Sequence, residues 1–119
     1  MAKLKLRKQE IATIKAHVAA HPMSLALIRS ESSPLELEAA LKPTWTECGL
    51  KLTRVFSSPN SEFGIAELNS NGKILVVLFV LGERTELISV SQTDEAYIKH
   101  IEDSIHSSNF CSEIIREGT

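Results

Sequence analysis

The eight apolar residues Ile74–Leu81, set between Asn71-Gly72 and Gly82-Glu83, constrain this chain more than any other segment. Eight residues are too few to cross a bilayer, which takes about 18 or more as a helix, but they suit a strand buried on both sides. Asn and Gly both tolerate positive φ, so Asn71-Gly72 predicts a type I′ hairpin turn. Gly82-Glu83 predicts a second two-residue turn, with glycine where type II′ needs positive φ.

A four-strand antiparallel meander follows from these signals. Cys48, Leu50, Leu52 and Phe56 alternate with polar or exposed positions, as in a strand with one buried face. Ser57-Ser58-Pro59-Asn60-Ser61 reads as a turn. The next strands are expected over Glu62–Leu68, Lys73–Leu81 and Arg84–Val90. The two tight turns would set the register, with Leu68 opposite Leu75, Phe63 opposite Val80, Val77 opposite Ile88 and Leu75 opposite Val90.

Helices flank the meander. Ile11, Ile14 and Val18 share one face of a helix over Leu6–Ala20, stopped by Pro22. Met23–Ile28 reads as a short strand, a fifth member of the sheet at 24–29. Ser33-Pro34-Leu35-Glu36 is a strong helix start, and Pro43 is expected to close that helix at about Leu41. Thr93 or Ser91 would cap a last long helix with Ile98, Ile101 and Ile105 as its buried stripe. Asn109 would open a short terminal one carrying Phe110, Ile114 and Ile115, ended by Gly118. The expected class is therefore α+β, one domain over 1–119 with a basic arm at 1–8.

The faces of the meander then differ. One collects Gly64, Ala66, Leu68, Leu75, Val77, Phe79, Leu81, Ile88 and Val90, a surface that helices should cover. The other holds Phe63, Ile65, Ile74, Val76, Leu78, Val80 and Leu87, interrupted by Glu67, Thr85 and Ser89. At about 25 cal/mol per Å² of apolar surface, leaving several such side chains wet would forgo several kcal/mol, comparable with a small domain's stability. The cover is the chain's own helices, a second copy, or another partner. Phe63, Ile65, Val76, Leu78, Val80 and Leu87 are the candidate interface residues, because large apolar patches on soluble proteins mark binding sites.

Catalytic signatures are missing from the sequence. His17 and His21 stand at i, i+4, but no HExxH or CxxC accompanies them, and no metal is expected. Cys48 and Cys111 read as reduced core thiols in a cytoplasmic protein rather than as a disulfide framework or nucleophiles. The five glycines form neither a P-loop nor a dinucleotide fingerprint, so no cofactor is expected. The acid pairs Glu36/Glu38, Glu83/Glu86 and Glu102/Asp103 fall on expected polar faces or turns, where carboxylates meet solvent. Glu83-Arg84, at the expected hairpin tip, is the polar cluster most open to contacts.

Charge is uneven. Lys3, Lys5, Arg7 and Lys8 make the start basic, whereas the whole chain carries a formal −2. The four could contact phosphates, but without interleaved aromatics they are a weak nucleic-acid footprint, and the acidic body repels polyanions.

These readings favour a non-catalytic, intracellular binding or inhibitory module that meets a protein partner, or itself, through a sheet face or edge. A nucleic-acid-binding protein using the basic segment is the first rival. A small-molecule-binding domain or an enzyme, with a site assembled from residues distant in sequence, is the second. No membrane association is expected.

Overall fold

The computed structural model describes residues 5–58 and 63–106. The expected terminal helix, Cys111 and Lys3 lie outside the described residues. The elements run α1 (Lys8–Ala20), β1 (Met23–Ser30), α2 (Pro34–Glu47), β2 (Lys51–Ser57), β3 (Phe63–Ser70), β4 (Lys73–Leu81), β5 (Glu86–Gln92) and α3 (Glu95–His106). The five strands form one sheet in the order β2-β3-β4-β1-β5. No helix among the described residues is long and apolar enough to cross a membrane.

The fold is α+β, but the sheet is mixed rather than a meander throughout. Its first half agrees with expectation: Asn71 and Gly72 take φ of 50° and 85°, and β3 pairs antiparallel with β4, Leu68 opposite Leu75 and Phe63 opposite Val80. Its second half does not. Gly82-Glu83 makes no hairpin, because β1 lies between β4 and β5, parallel to β4 and antiparallel to β5. The segment Met23–Ile28, the most apolar run left in the chain, gains burial on both faces there. Leu25, Leu27, Ala26 and Ile28 are all buried. A lone hairpin return would leave β4 flanked by the more polar β5 and strand the apolar β1 at a margin.

Gly82 has another task than a turn. Its φ is not positive, and a Cβ on it would stand 1.8 Å from Cγ of Arg29. The chain crosses the end of β1 there, with Gly82 N–H donating to Ser30 O at 2.9 Å and the hydroxyls of Ser30 and Thr85 3.0 Å apart. β1 and β5 also slip in register, Leu27 opposite Ser89 but Ile28 opposite Leu87. Ile88 is the extra residue of that bulge, which turns it and Leu87 to faces opposite to those a regular hairpin gives.

α1 and α2 cover one face of the sheet. Ile14 and Val18 from α1, and Leu37, Leu41 and Trp45 from α2, pack on Ala26, Ile28, Ala66, Leu68, Leu75, Val77 and Phe79, with Leu87 and Val90 partly buried beside them. α3 covers the other face: Ile98, Ile101 and Ile105 pack on Leu25, Leu27, Ile65, Val76, Leu78 and Val80. Its cap is Asp94, not Thr93 or Ser91, since Asp94 Oδ1 accepts from the Tyr97 N–H at 2.9 Å. Arg54 on β2 pairs with Glu102 of α3 and, at 3.7 Å, with Glu67 of β3, tying this helix to the sheet margin.

Candidate functional site

The site grows from the end of α2, where the helix overruns an expected stop. Pro43 lies inside α2 and its side is exposed. A proline inside a helix costs about 3 kcal/mol, but an indole hides roughly 150–250 Å² of surface, about 4–6 kcal/mol at 25 cal/mol per Å². Trp45, 2 % exposed, therefore outweighs Pro43 and holds the last turn helical. The ending is a glycine cap: Gly49 takes φ of 73°, its N–H bonds Thr46 O at 3.0 Å, and the Leu50 N–H bonds Trp45 O at 2.8 Å. Cys48 is the helix cap rather than a strand residue, and β2 begins only at Lys51.

This geometry splays α2 from β2 and leaves a groove of about 480 Å³ between them, within the range of ligand pockets. Leu35, Ala39, Leu50, Leu52 and Val55 give it apolar walls, with Glu38, Trp45 and Thr46 among them and Lys42 and Lys51 also lining it. Three large hydrophobic residues are exposed among the described residues, and two of them, Leu35 at 57 % and Leu52 at 39 %, belong to this groove.

Glu38 is its unusual member. The residue is only 5 % exposed, because it sits in the buried stripe of α2 with Leu37, Leu41, Thr44 and Trp45. Its Oε2 and the Nε1 of Trp45 are both buried and have no other partner among the described residues; they are each other's neighbours. Burial pushes the Glu38 carboxyl up to about 7, only partly offset by the hydrogen bond that the Trp45 indole N–H offers it. The carboxyl therefore exchanges its proton near neutrality.

The residues singled out by sequence fall elsewhere. Ile65, Val76, Leu78 and Val80 are buried and Phe63 is partly buried in the layer beneath α3, while Leu87 lies on the opposite face against the α1 layer. The second face is thus covered from within the chain. Lys5, Arg7 and Lys8 are exposed at the start of α1. Arg7 is engaged locally: its guanidinium pairs with Glu10 at 3.4 Å. Glu83-Arg84 is not a hairpin tip, and Arg84 pairs with Glu86 at 3.0 Å on the surface.

Glu10 closes a separate, structural contact. One of its carboxylate oxygens accepts the Arg7 N–H at 2.7 Å and the other accepts the Leu87 N–H at 2.8 Å, which fastens the first turn of α1 to β5. Burial alone would raise this carboxyl, but those two N–H groups and the Arg7 guanidinium outweigh it, so it titrates below the ordinary carboxylate range.

Among the described residues, the histidines and the Cys48 thiol assemble no reactive group. The His17 and His21 rings lie 5.3 Å apart between centroids, tilted by 39°, and no cluster of three metal-binding side chains occurs among the described residues. Cys48 lines a hollow of about 260 Å³ with Lys15, Asn71 and Lys73. Burial pushes its thiol up, with Glu47 adding to that and Lys15 opposing, away from the thiolate a nucleophile needs. His100 is exposed on α3, 6.3 Å from the Tyr97 ring.

The sequence reading placed Glu38 with Glu36 on a solvated face, but Glu38 is buried, because ending the helix at about Leu41 left Thr44 and Trp45 out of the stripe it belongs to. Carried through Trp45, the same 3.6-residue period puts positions 37, 38, 41, 44 and 45 on one face. That spacing was the available signal. No protein-family model, curated protein or solved structure matches this chain.

Proposed function

We propose that this chain is a non-catalytic interaction module that takes an apolar segment of a protein partner into the groove between α2 and β2. The supporting observation is the pair Leu35 and Leu52, more than a third exposed, beside an apolar-walled groove of about 480 Å³. With α3 packed on the second sheet face, this groove is the better-supported contact surface. The exposed parts of Leu35 and Leu52 together amount to about one leucine side chain, worth about 1.5–3 kcal/mol when covered.

The neighbouring edge argues for insertion of side chains over extension of the sheet. β2 is the margin of the sheet, but Lys51 and Arg54 carry charge along it and its register with β3 shifts at Thr53. Charges and bulges on an edge strand oppose open-ended strand pairing. A partner held by side chains in the groove avoids that obstacle.

The experiment is peptide selection followed by calorimetry. Peptides selected from a random displayed library against the whole protein should lose at least ten-fold in affinity to Leu35→Glu and to Leu52→Glu. Leu35 is the more exposed of the two, so the urea midpoint of Leu35→Glu should match the parent's, while Leu52→Glu is compared at conditions where circular dichroism shows it folded. Selected peptides that bind parent and variants alike would overturn the reading. So would concentration-dependent dimers, seen by sedimentation and abolished by Leu35→Glu, because a second copy would then be the occupant.

A further inference from the structure

We propose that the hollow at the far ends of β1 and β4 binds an organic carboxylate, with its charged group on the Arg29 guanidinium and its apolar body against Phe63, Val80 and Leu81. None of the residues lining this hollow lines the groove between α2 and β2, so the two sites are independent.

Arg29 carries the inference. On β1 it stands opposite Val80 of β4 on one side and Glu86 of β5 on the other. Opposite charges facing each other across a ladder ordinarily pair. Here they do not: the Glu86 carboxylate accepts the Arg84 Nε–H at 3.0 Å, and Arg29 forms no ion pair among the described residues. Arg29 is nonetheless half-buried, and an arginine withdrawn from water is ordinarily paired.

Gly82 fixes the course of that side chain. A Cβ on Gly82 would stand 1.8 Å from Arg29 Cγ and 2.2 Å from its Cδ, so the arginine stem passes directly over the glycine. Gly82 is itself fastened to the end of β1 by its N–H bond to Ser30 O. The hollow that Arg29 and Gly82 line together holds about 640 Å³, within the range of small-molecule pockets. Leu81, 59 % exposed, gives it an uncovered apolar wall.

The lining selects the ligand class. A guanidinium presents a planar fork of N–H donors that fits the oxygens of a carboxylate or a phosphate. Glu83 and Glu86 also border the hollow, and Arg84 is already engaged by Glu86. A dianionic phosphate would bring a second negative charge toward Glu83 with no second unpaired cation to meet it, whereas a carboxylate matches the single charge of Arg29. An ammonium would face Arg29 as a like charge. An apolar body on the carboxylate covers Leu81, which a bare anion leaves wet.

The test titrates the whole isotope-labelled protein with phenylacetate, acetate, phenethyl alcohol, phenethylammonium and phenyl phosphate, following the Arg29 Nε–H and Gly82 amide resonances. Phenylacetate should bind at least ten-fold tighter than each of the other four and move the Arg29 Nε–H downfield. Arg29→Gln should reduce phenylacetate to the affinity of the alcohol, and Arg29→Lys, which keeps the charge without the fork, should fall between. Glu83→Gln should bind phenylacetate at least as tightly as the parent. Circular dichroism checks the folding of each variant, and the five-compound comparison in the parent decides the class without any of them.

Equal affinity for phenylacetate and phenethyl alcohol, or an Arg29 resonance that stays in place, would overturn the assignment. Acetate binding as tightly as phenylacetate would also overturn it, leaving a surface charge contact with no pocket. Tighter phenyl phosphate or phenethylammonium would replace the carboxylate with another class. Leu35→Glu should leave phenylacetate affinity unchanged, so a failure of peptide docking and a failure of this site are read separately.

Discussion

Replacing Glu38 by glutamine tests the physical chemistry of the groove without any ligand. The carboxyl titrates near 4.5 in the unfolded chain and is raised to about 7 in the fold. Below 4.5 both states are protonated, and Glu38 leaves stability unaffected by pH. Between 4.5 and 7 the folded state holds a proton that the unfolded state has released, so stability falls as pH rises; above 7 the loss is complete. At 1.36 kcal/mol per pH unit this amounts to about 3 kcal/mol, a large share of a small domain's total. Glu38→Gln cannot ionise and escapes the whole loss. Urea unfolding at pH 5 and pH 8.5 should therefore show the variant's advantage growing by about 2–3 kcal/mol between the two, a midpoint gain on the order of 1–2 M. Any fixed cost of burying the amide appears at both pH values and cancels. Equal differences at pH 5 and pH 8.5, within about 0.5 kcal/mol, would refute the claim that a proton-exchanging carboxyl is buried in the groove.

Two further perturbations probe the frame that holds the groove. Glu10→Ala leaves the Arg7 and Leu87 N–H groups without their shared acceptor and should cost about 1–3 kcal/mol near neutral pH. Because Glu10 titrates below its unfolded value, its contribution is complete above about 4.5 and disappears as pH falls through the lower folded value, so parent and variant should converge in acid; a constant gap in urea midpoints down to pH 2 would refute it. Gly82→Ala should destabilise by about 1–3 kcal/mol through collision with the Arg29 side chain, and Arg29→Ala should recover most of that in a double-mutant cycle. Additive effects would mean that the crossing over β1 does not need the missing Cβ.

What the sequence revealed depended on whether a signal was local. Asn71-Gly72 carries its turn in its own φ angles, and the octet of β4 carries its burial in its own composition, so β3 and β4 were legible residue by residue. Gly82-Glu83 looks like a turn by the same rule, yet its glycine answers to Arg29, a contact 53 positions away in the chain and invisible to local reading. The place of β1 is likewise a competition: the strand that buries most apolar surface takes the inner position, and sequence adjacency of β4 and β5 counts for less. From that one exchange followed both the parallel pair and the reversed faces of Leu87 and Ile88.

The groove was hidden by a conflict between two local rules, and the energies decide it. Proline as a helix stop and an amphipathic period running on to Trp45 cannot both prevail, and about 3 kcal/mol of disruption loses to roughly 4–6 kcal/mol of indole burial. Once the helix continues, Glu38 is carried into the buried stripe and can no longer be an ordinary solvated acid. The glycine cap then turns Leu50 inward and β2 away, so the space beside Glu38 is left between the two elements. A substitution that restored the expected stop, Trp45→Ala, would remove the reason for the last turn and the wall of the groove together. A carboxyl buried in the apolar stripe of α2 is held partly protonated near neutrality, and its ionisation costs stability as pH rises.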